Sequence, residues 1–258
     1  MGAEVGWVAR GLDEVPDDHT WLSPRERERA AAMRFTKRRS EFLVSRLAAK
    51  EAIARGLGRQ VAGPADLAAI EVTRRPTGAP TALLDGAPAG LAMSSTDRAD
   101  WAVTVVSDAP ALELGCDLEL VEPRSSGFVQ DYLTAVEQEL VRSGRWPVEV
   151  AANLLWSAKE SALKVLQTGL RRDTRSVEVA LVEGEMVDGW LPLEVRPVEG
   201  GLFPGWWRRS GSFLLTVAGS GPLEAPVALA GGDPLVPARP THRWLEAMLT
   251  EGRSPGST

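Results

Sequence analysis

The segment Leu155-Trp156-Ser157-Ala158-Lys159-Glu160-Ser161-Ala162-Leu163-Lys164 constrains this chain most. Leu155, Ala158, Ala162 and Val165 recur at helical spacing and predict a face turned to a core. Trp156, Glu160 and Lys164 lie four residues apart and share another face. Gly169 follows at a position where a left-handed residue can end the helix. Taken alone, such a Glu–Lys pair is usually a partly exposed ion pair of small energetic consequence.

The rest of the chain bounds what this helix can serve. A length of 258 residues with 44% hydrophobic composition suffices for one sizeable core or two smaller ones. The net charge of −6 argues against a general nucleic-acid-binding surface. No apolar run is long enough to span a bilayer, and Met1 to Arg10 lacks the basic-then-apolar layout of a secretory signal. Cys116 is the sole cysteine, so an internal disulfide is impossible. A cytoplasmic protein is the expectation. Nine tryptophans stand against one tyrosine, and core packing is the plainest role for them.

From the N-terminus, Trp7-Val8-Ala9 reads as a short strand. Ser23-Pro24-Arg25-Glu26 is a capping box with proline at the first helical position. A second helix is expected from about Ser40 to Arg55, with Phe42, Ala49 and Ile53 on one face. Residues 25–55 carry ten basic residues against four acidic ones, a basic island in an acidic chain. Arg46 and Lys50 are four apart with no acid between them on that face, which suits a polyphosphate. Residues 57–68 read as a loop. Ile70-Glu71-Val72 reads as a strand, and Arg74 to Pro80 as a turn carrying two cations. Met93 to Asp97 supplies hydroxyls ahead of a strong strand, Trp101 to Val106.

Leu114-Gly115-Cys116-Asp117-Leu118-Glu119-Leu120 alternates as a strand, with Asp117 and Glu119 on one side. Two carboxylates so placed repel unless a positive group sits between them. The strand is either a solvated edge or half of a site for a hard divalent cation. Cys116, on the apolar side, reads as a buried filler rather than a nucleophile. Farther on, a helix is expected over Asp131 to Val141. Strands are expected over Ser176 to Val182, Trp190 to Val195 and Ser212 to Ala218, with a loop over Gly201 to Gly205. Without regular βαβ alternation the fold class is α+β. A helical stretch followed by short strands and then a strong strand occurs twice, so two similar halves are expected. Their limits are 1–112 and 113–251, with a disordered tail at 252–258.

Gly115-Cys116-Asp117-Leu118-Glu119 followed by Trp156-x-x-Lys159-Glu160-x-x-x-Lys164 resembles the paired motif of the 4′-phosphopantetheinyl transferases, within them the larger single-chain Sfp type. Leu22-Ser23-Pro24, the basic segment Phe35 to Lys50, Gly78-Ala79-Pro80, Glu137 and Gly169-Leu170 extend the likeness along most of the chain. The resemblance implies a pseudo-dimer of two α+β halves with the site between them, and a monomer is expected because the duplication supplies both halves of the site. It implies transfer of 4′-phosphopantetheine from coenzyme A to a serine of an apo acyl or peptidyl carrier protein, releasing adenosine 3′,5′-bisphosphate. The carrier would serve fatty-acid, polyketide or nonribosomal-peptide synthesis.

By the same resemblance, Asp117, Glu119 and Glu160 would hold Mg²⁺, Glu160 or a metal-bound water would take the serine proton, and Lys164 would reach a phosphate. Glu137 is a second candidate for a metal or base role. Arg39, Arg46, Lys50 and Arg75 would contact the coenzyme A phosphates with Ser94, Ser95 and, through the pyrophosphate, Lys159. Two positions depart from the family. Ser95 stands where a histidine usually contacts the 3′-phosphate, and Ala79 where a lysine often sits. An alternative is therefore a degenerate member that binds coenzyme A or a carrier without efficient turnover. A third reading, an interaction protein, requires that Asp117, Glu119 and Glu160 never meet.

Overall fold

A computed structural model of the chain describes residues 2–240, with Leu170 described by its backbone alone. The expected tail at 252–258 and His242 lie outside the described residues. The first half opens with strand β1 (Gly6–Gly11). Helices α1 (Pro24–Ala31), α2 (Thr36–Gly56) and α3 (Pro64–Ala68) follow. Then come strands β2 (Ile70–Arg74), β3 (Pro80–Leu84), β4 (Ala87–Pro88), β5 (Ala92–Arg98) and β6 (Trp101–Ser107). The second half opens with β7 (Leu114–Leu120), then α4 (Ser126–Tyr132), α5 (Ala135–Arg142) and α6 (Val148–Val165). It continues with β8 (Val177–Ala180), β9 (Leu191–Pro197), β10 (Phe203–Ser210) and β11 (Phe213–Gly219), and β12 (Val227–Ala228) closes the set.

The fold is α+β. One sheet has the order β12-β1-β6-β5 and is covered by α2; the other has the order β7-β11-β10-β9-β8 and is covered by α6. Strands β2, β3 and β4 form a separate small sheet. The pairings repeat between halves: β1 lies antiparallel to β6 with Val8 opposite Thr104, and β7 lies antiparallel to β11 with Asp117 opposite Thr216. The last strand crosses back, since β12 runs parallel to β1. Residues from both sheets, among them Trp7, Val103, Val105, Cys116, Leu118 and Phe213, share one core.

A buried ion pair recurs in the same place in each half. Glu26 closes the capping box of α1 with Ser23 and accepts the Val72 N–H at 3.0 Å. It meets the Lys50 ammonium at 2.6 Å, and Lys50 also donates to the carbonyls of Leu67 and Ile70. Glu137 closes the capping box of α5 with Thr134, accepts the Val179 N–H at 2.8 Å and meets Lys159 at 2.8 Å. Lys159 donates to the carbonyls of Thr174 and Val177. In both halves one carboxylate joins a helix start, the long helix and a following strand.

Several elements differ from expectation. The helix expected over 131–141 is two, because the Thr134 cap restarts the chain after Leu133. Residues 57–68 include α3, opened by Pro64. Gly205, expected in a loop, sits within β10, where a Cβ would lie 2.3 Å from the Val217 carbonyl oxygen. Helix α6 ends through a left-handed residue at Gln167 (φ 56°), two positions before Gly169, with the Thr168 N–H reaching back to the Leu163 carbonyl.

Candidate active site

The site forms where α6 lies across β7 and β5 of the first half packs against β7 from the other side. Gly115 permits the close approach of helix and strand, because a Cβ there would stand 1.8 Å from the Ser161 carbonyl oxygen. The hydroxyls of Ser157 and Ser161 bond to Thr216 at 2.9 and 2.7 Å, which sets the rotation of the helix over the sheet. β7 is an edge strand, yet all seven of its residues are buried. Hydroxyls of β5 satisfy it in place of a neighbouring strand. Ser94 accepts the Cys116 N–H at 3.1 Å, and Thr96 accepts the Leu118 N–H at 3.2 Å. The Cys116 side chain is fully buried and burial raises its thiol to about 11, as befits a filler.

Asp117 projects from this strand. Its Oδ1 accepts from Thr96 at 3.2 Å and from the Lys164 ammonium at 3.0 Å, and Lys164 also donates to the Cys116 carbonyl at 2.7 Å. Burial opposes the charge on Lys164, but Asp117, Cys116 and Glu160 together raise the ammonium above its ordinary value. Asp117 Oδ2 is buried without a hydrogen-bond partner among the described residues. Glu160, one turn before Lys164, is raised to about 7 by burial and then by Asp117.

Glu119 is engaged on both oxygens. Trp156 Nε1 donates to Oε1 at 3.0 Å, and Arg124 and Arg98 stand 3.1 and 3.4 Å from Oε2. Burial, then Asp117, raises its carboxyl above the usual range. Asn153 holds the Arg124 Nε at 2.6 Å, and the rings of Phe128 and Tyr132 each pack edgewise on Trp156 at 5.1 Å.

Beside these groups opens a cavity of about 600 Å³ lined by both halves. The first half contributes Arg74, Arg75 and Ser95 among others, and the second contributes Lys164, Thr168 and Arg171. Arg75 is paired with Glu113 at 2.9 Å, and the Ser95 hydroxyl is shared with Thr104 at 2.8 Å.

The expected residues therefore separate into three groups. Asp117, Glu119, Glu160 and Lys164 are brought together, and Arg75, Ser94 and Ser95 line the adjoining cavity. Arg39 lies exposed on α2 and is not among the cavity-lining residues. Lys50, Lys159 and Glu137 are wholly buried in the two ion pairs, and Arg46 is buried against Glu26 at 3.1 Å and over the Phe42 ring. Each of these four is paired inside the protein, and none is among the cavity-lining residues. The acid opposing Arg46 and Lys50 comes from α1, so the face that looked unopposed in sequence is neutralised in space.

The residues suit a hard divalent cation in part. No three His, Cys, Asp or Glu side chains among the described residues already stand as a ready metal cluster. The unpartnered Asp117 oxygen and the raised Glu160 carboxyl nonetheless mark uncompensated negative charge. Mg²⁺ commonly takes one or two carboxylates and completes its shell with water and substrate phosphates, a donor set that Asp117 and Glu160 fit.

Sequence reasoning missed Thr96, Arg98, Arg124, Asn153 and Arg171. Thr96 had a signal, since Ser94 and Thr96 alternate on one strand face. The arginines had none, because their partners depend on tertiary packing, between the halves for Arg98 and Arg171 and within the second half for Arg124.

Residues 113–185 match the family model of the 4′-phosphopantetheinyl transferase superfamily. The matched segment, less than a third of the chain, runs from β7 past β8 and holds Asp117, Glu119, Glu160 and Lys164. No curated protein matches the chain. No helix among the described residues is long and apolar enough to cross a membrane.

Proposed function

We propose that this protein is a 4′-phosphopantetheinyl transferase that moves phosphopantetheine from coenzyme A to a serine hydroxyl of an apo carrier protein. The observation that carries this reading is that Lys164, which lines a cavity built by both halves, is paired with Asp117 and lies one turn from Glu160. Coenzyme A would lie in that cavity with its pyrophosphate toward Lys164. In the reaction the serine oxygen bonds to the pantetheine-side phosphorus, and the bond from that phosphorus to the bridging oxygen breaks. Adenosine 3′,5′-bisphosphate leaves with the electron pair.

Glu160 would accept the serine proton. Lys164, already held by Asp117 and the Cys116 carbonyl, would bind a pyrophosphate oxygen without searching for a rotamer. Asp117 and Glu160 would hold Mg²⁺, with Glu119 as a further ligand if it exchanges an arginine; the ion, when bound, neutralises charge developing on the leaving phosphate. Trp156, Arg98 and Arg124 would orient Glu119. The carrier would approach from solvent, and its acidic surface would complement the basic residues of α2.

The test is the intact mass of an apo acyl carrier protein incubated with this protein, coenzyme A and Mg²⁺, with an EDTA control. A gain of one phosphopantetheine, absent with EDTA, is the expected result. Asp117→Ala and Glu160→Ala should each reduce turnover by a factor of about 10³ or more while the fold is retained. Near-normal activity in either variant would refute the metal assignment. The arginine-bound state of Glu119 and the uncharged Ser95 favour a second reading, a member that binds coenzyme A without turnover. It predicts binding but no mass gain across several carrier types.

A further inference from the structure

Three side chains converge on the Glu119 carboxylate, and the two cations among them each hold a second partner. Trp156 Nε1 donates to Oε1 at 3.0 Å. Oε2 faces Arg124 at 3.1 Å and Arg98 at 3.4 Å. Arg124 also donates from Nε to Asn153 at 2.6 Å and lies over the Phe128 ring at 4.7 Å. Asn153 is itself fixed, since its amide donates to the carbonyls of Glu122 and Glu149, each at 2.7 Å. Arg98, at the end of β5 in the first half, donates to the Glu122 carboxylate at 2.7 Å. Its Nε, the atom facing Glu119, makes no hydrogen bond among the described residues. Each guanidinium therefore keeps a polar partner when Glu119 leaves it. The usual penalty for breaking a buried ion pair, a charge left with nothing beside it, is avoided on the arginine side.

We propose that Arg98 and Arg124 are positioning residues that hold Glu119 in reserve from the divalent cation and thereby set the metal affinity of the site. The inference rests on the reading of Asp117 and Glu160 as metal ligands, and it concerns the third carboxylate alone. A carboxylate flanked by two guanidinium groups has its negative charge already met by charge-assisted contacts. A divalent cation gains that carboxylate only by displacing arginine from it. Mg²⁺ is commonly held by one or two carboxylates, with water and substrate phosphates completing its shell. Holding the third carboxylate back therefore weakens the grip of the protein on the ion before those phosphates arrive. Because Arg98 belongs to the first half and Arg124 to the second, the reserve depends on both halves being in place.

Titration with Mn²⁺, followed by the fall of the free-ion electron paramagnetic resonance signal, tests this on the whole protein. The variants are Arg124→Gln and Arg98→Gln, each alone and combined with Glu119→Gln. Glutamine keeps an N–H for Asn153 or Glu122 and removes the charge. Arg124→Gln should bind Mn²⁺ about tenfold or more tighter than the native protein. Arg98→Gln, whose contact with Glu119 lacks a hydrogen bond, should shift affinity the same way by less. In the Glu119→Gln background neither replacement should change affinity by more than about twofold, because the group they act through is gone. An equal gain in both backgrounds would mean that the arginines act as bare repelling charges, and it would overturn the reserve. Unchanged affinity in the single variants would overturn it as well, and either result leaves the metal assignment standing. No uptake of Mn²⁺ by the native protein or any variant would overturn the metal assignment and the reserve together, while the carrier mass assay judges transfer separately.

Discussion

At the residue scale, ion pairing divides the charged groups of this protein into two kinds. Lys50 and Lys159 are lysines whose burial lowers their pKa while Glu26 and Glu137 hold the charge in place. Each ammonium is also spent on two backbone carbonyls, so these pairs lock helix to strand. Removing one partner of such a pair leaves a buried charge unmatched. Lys159→Met is therefore expected to cost about 3–5 kcal/mol in urea unfolding, and Lys50→Met a similar amount. Where the variants remain folded, the KM for coenzyme A should be unchanged. A stable Lys159→Met protein with a raised KM would return Lys159 to the ligand site. Lys164 differs because it lines the cavity and keeps part of its side chain accessible.

At the element scale, the site depends on how closely α6 lies on β7. Gly115 sets that distance, which gives the first glycine of the Gly-x-Asp-x-Glu strand a steric reason. Any side chain there forces helix and strand apart. Gly115→Ala should destabilise the protein by about 3 kcal/mol or more and also weaken turnover, because Lys164 and Asp117 would lose their mutual position. Equilibrium unfolding and the carrier mass assay check both parts. A variant with native stability would mean that the strand yields to accommodate a methyl group. The strand is held on its far side by Ser94 and Thr96, so it cannot retreat without breaking those bonds.

At the scale of the whole molecule, two sheet-and-helix assemblies share one core, and the C-terminal β12 returns to the N-terminal sheet. The recurrence of the Glu–Lys pair and of the strand registers supports reading the chain as two copies of one unit. We expect the limits 1–112 and 113–251 to mark structural halves that do not unfold separately. A single transition in denaturant, coincident by circular dichroism and tryptophan fluorescence, should be observed. Separated transitions would mean that the shared core contributes little to stability.

The amino-acid sequence by itself determined the parts that depend on near neighbours. These are the two faces of α6, the alternation of β7, and the capping box that opens α1; the two motifs add only a resemblance to the phosphopantetheinyl transferases. Helical and strand periodicity place side chains relative to one another over a few residues, so such patterns are legible in one dimension. Only the tertiary structure decided which charges meet. Glu26 neutralises Arg46 and Lys50 from another helix, Arg98 and Arg124 converge on Glu119 from different halves, and Arg171 reaches Thr77 across the cavity. The physical reason is that a charge is defined by its surroundings in space. Partners dozens of residues apart leave no periodic trace in the chain, and whether a cation is spent in the core or free for a ligand follows from packing alone.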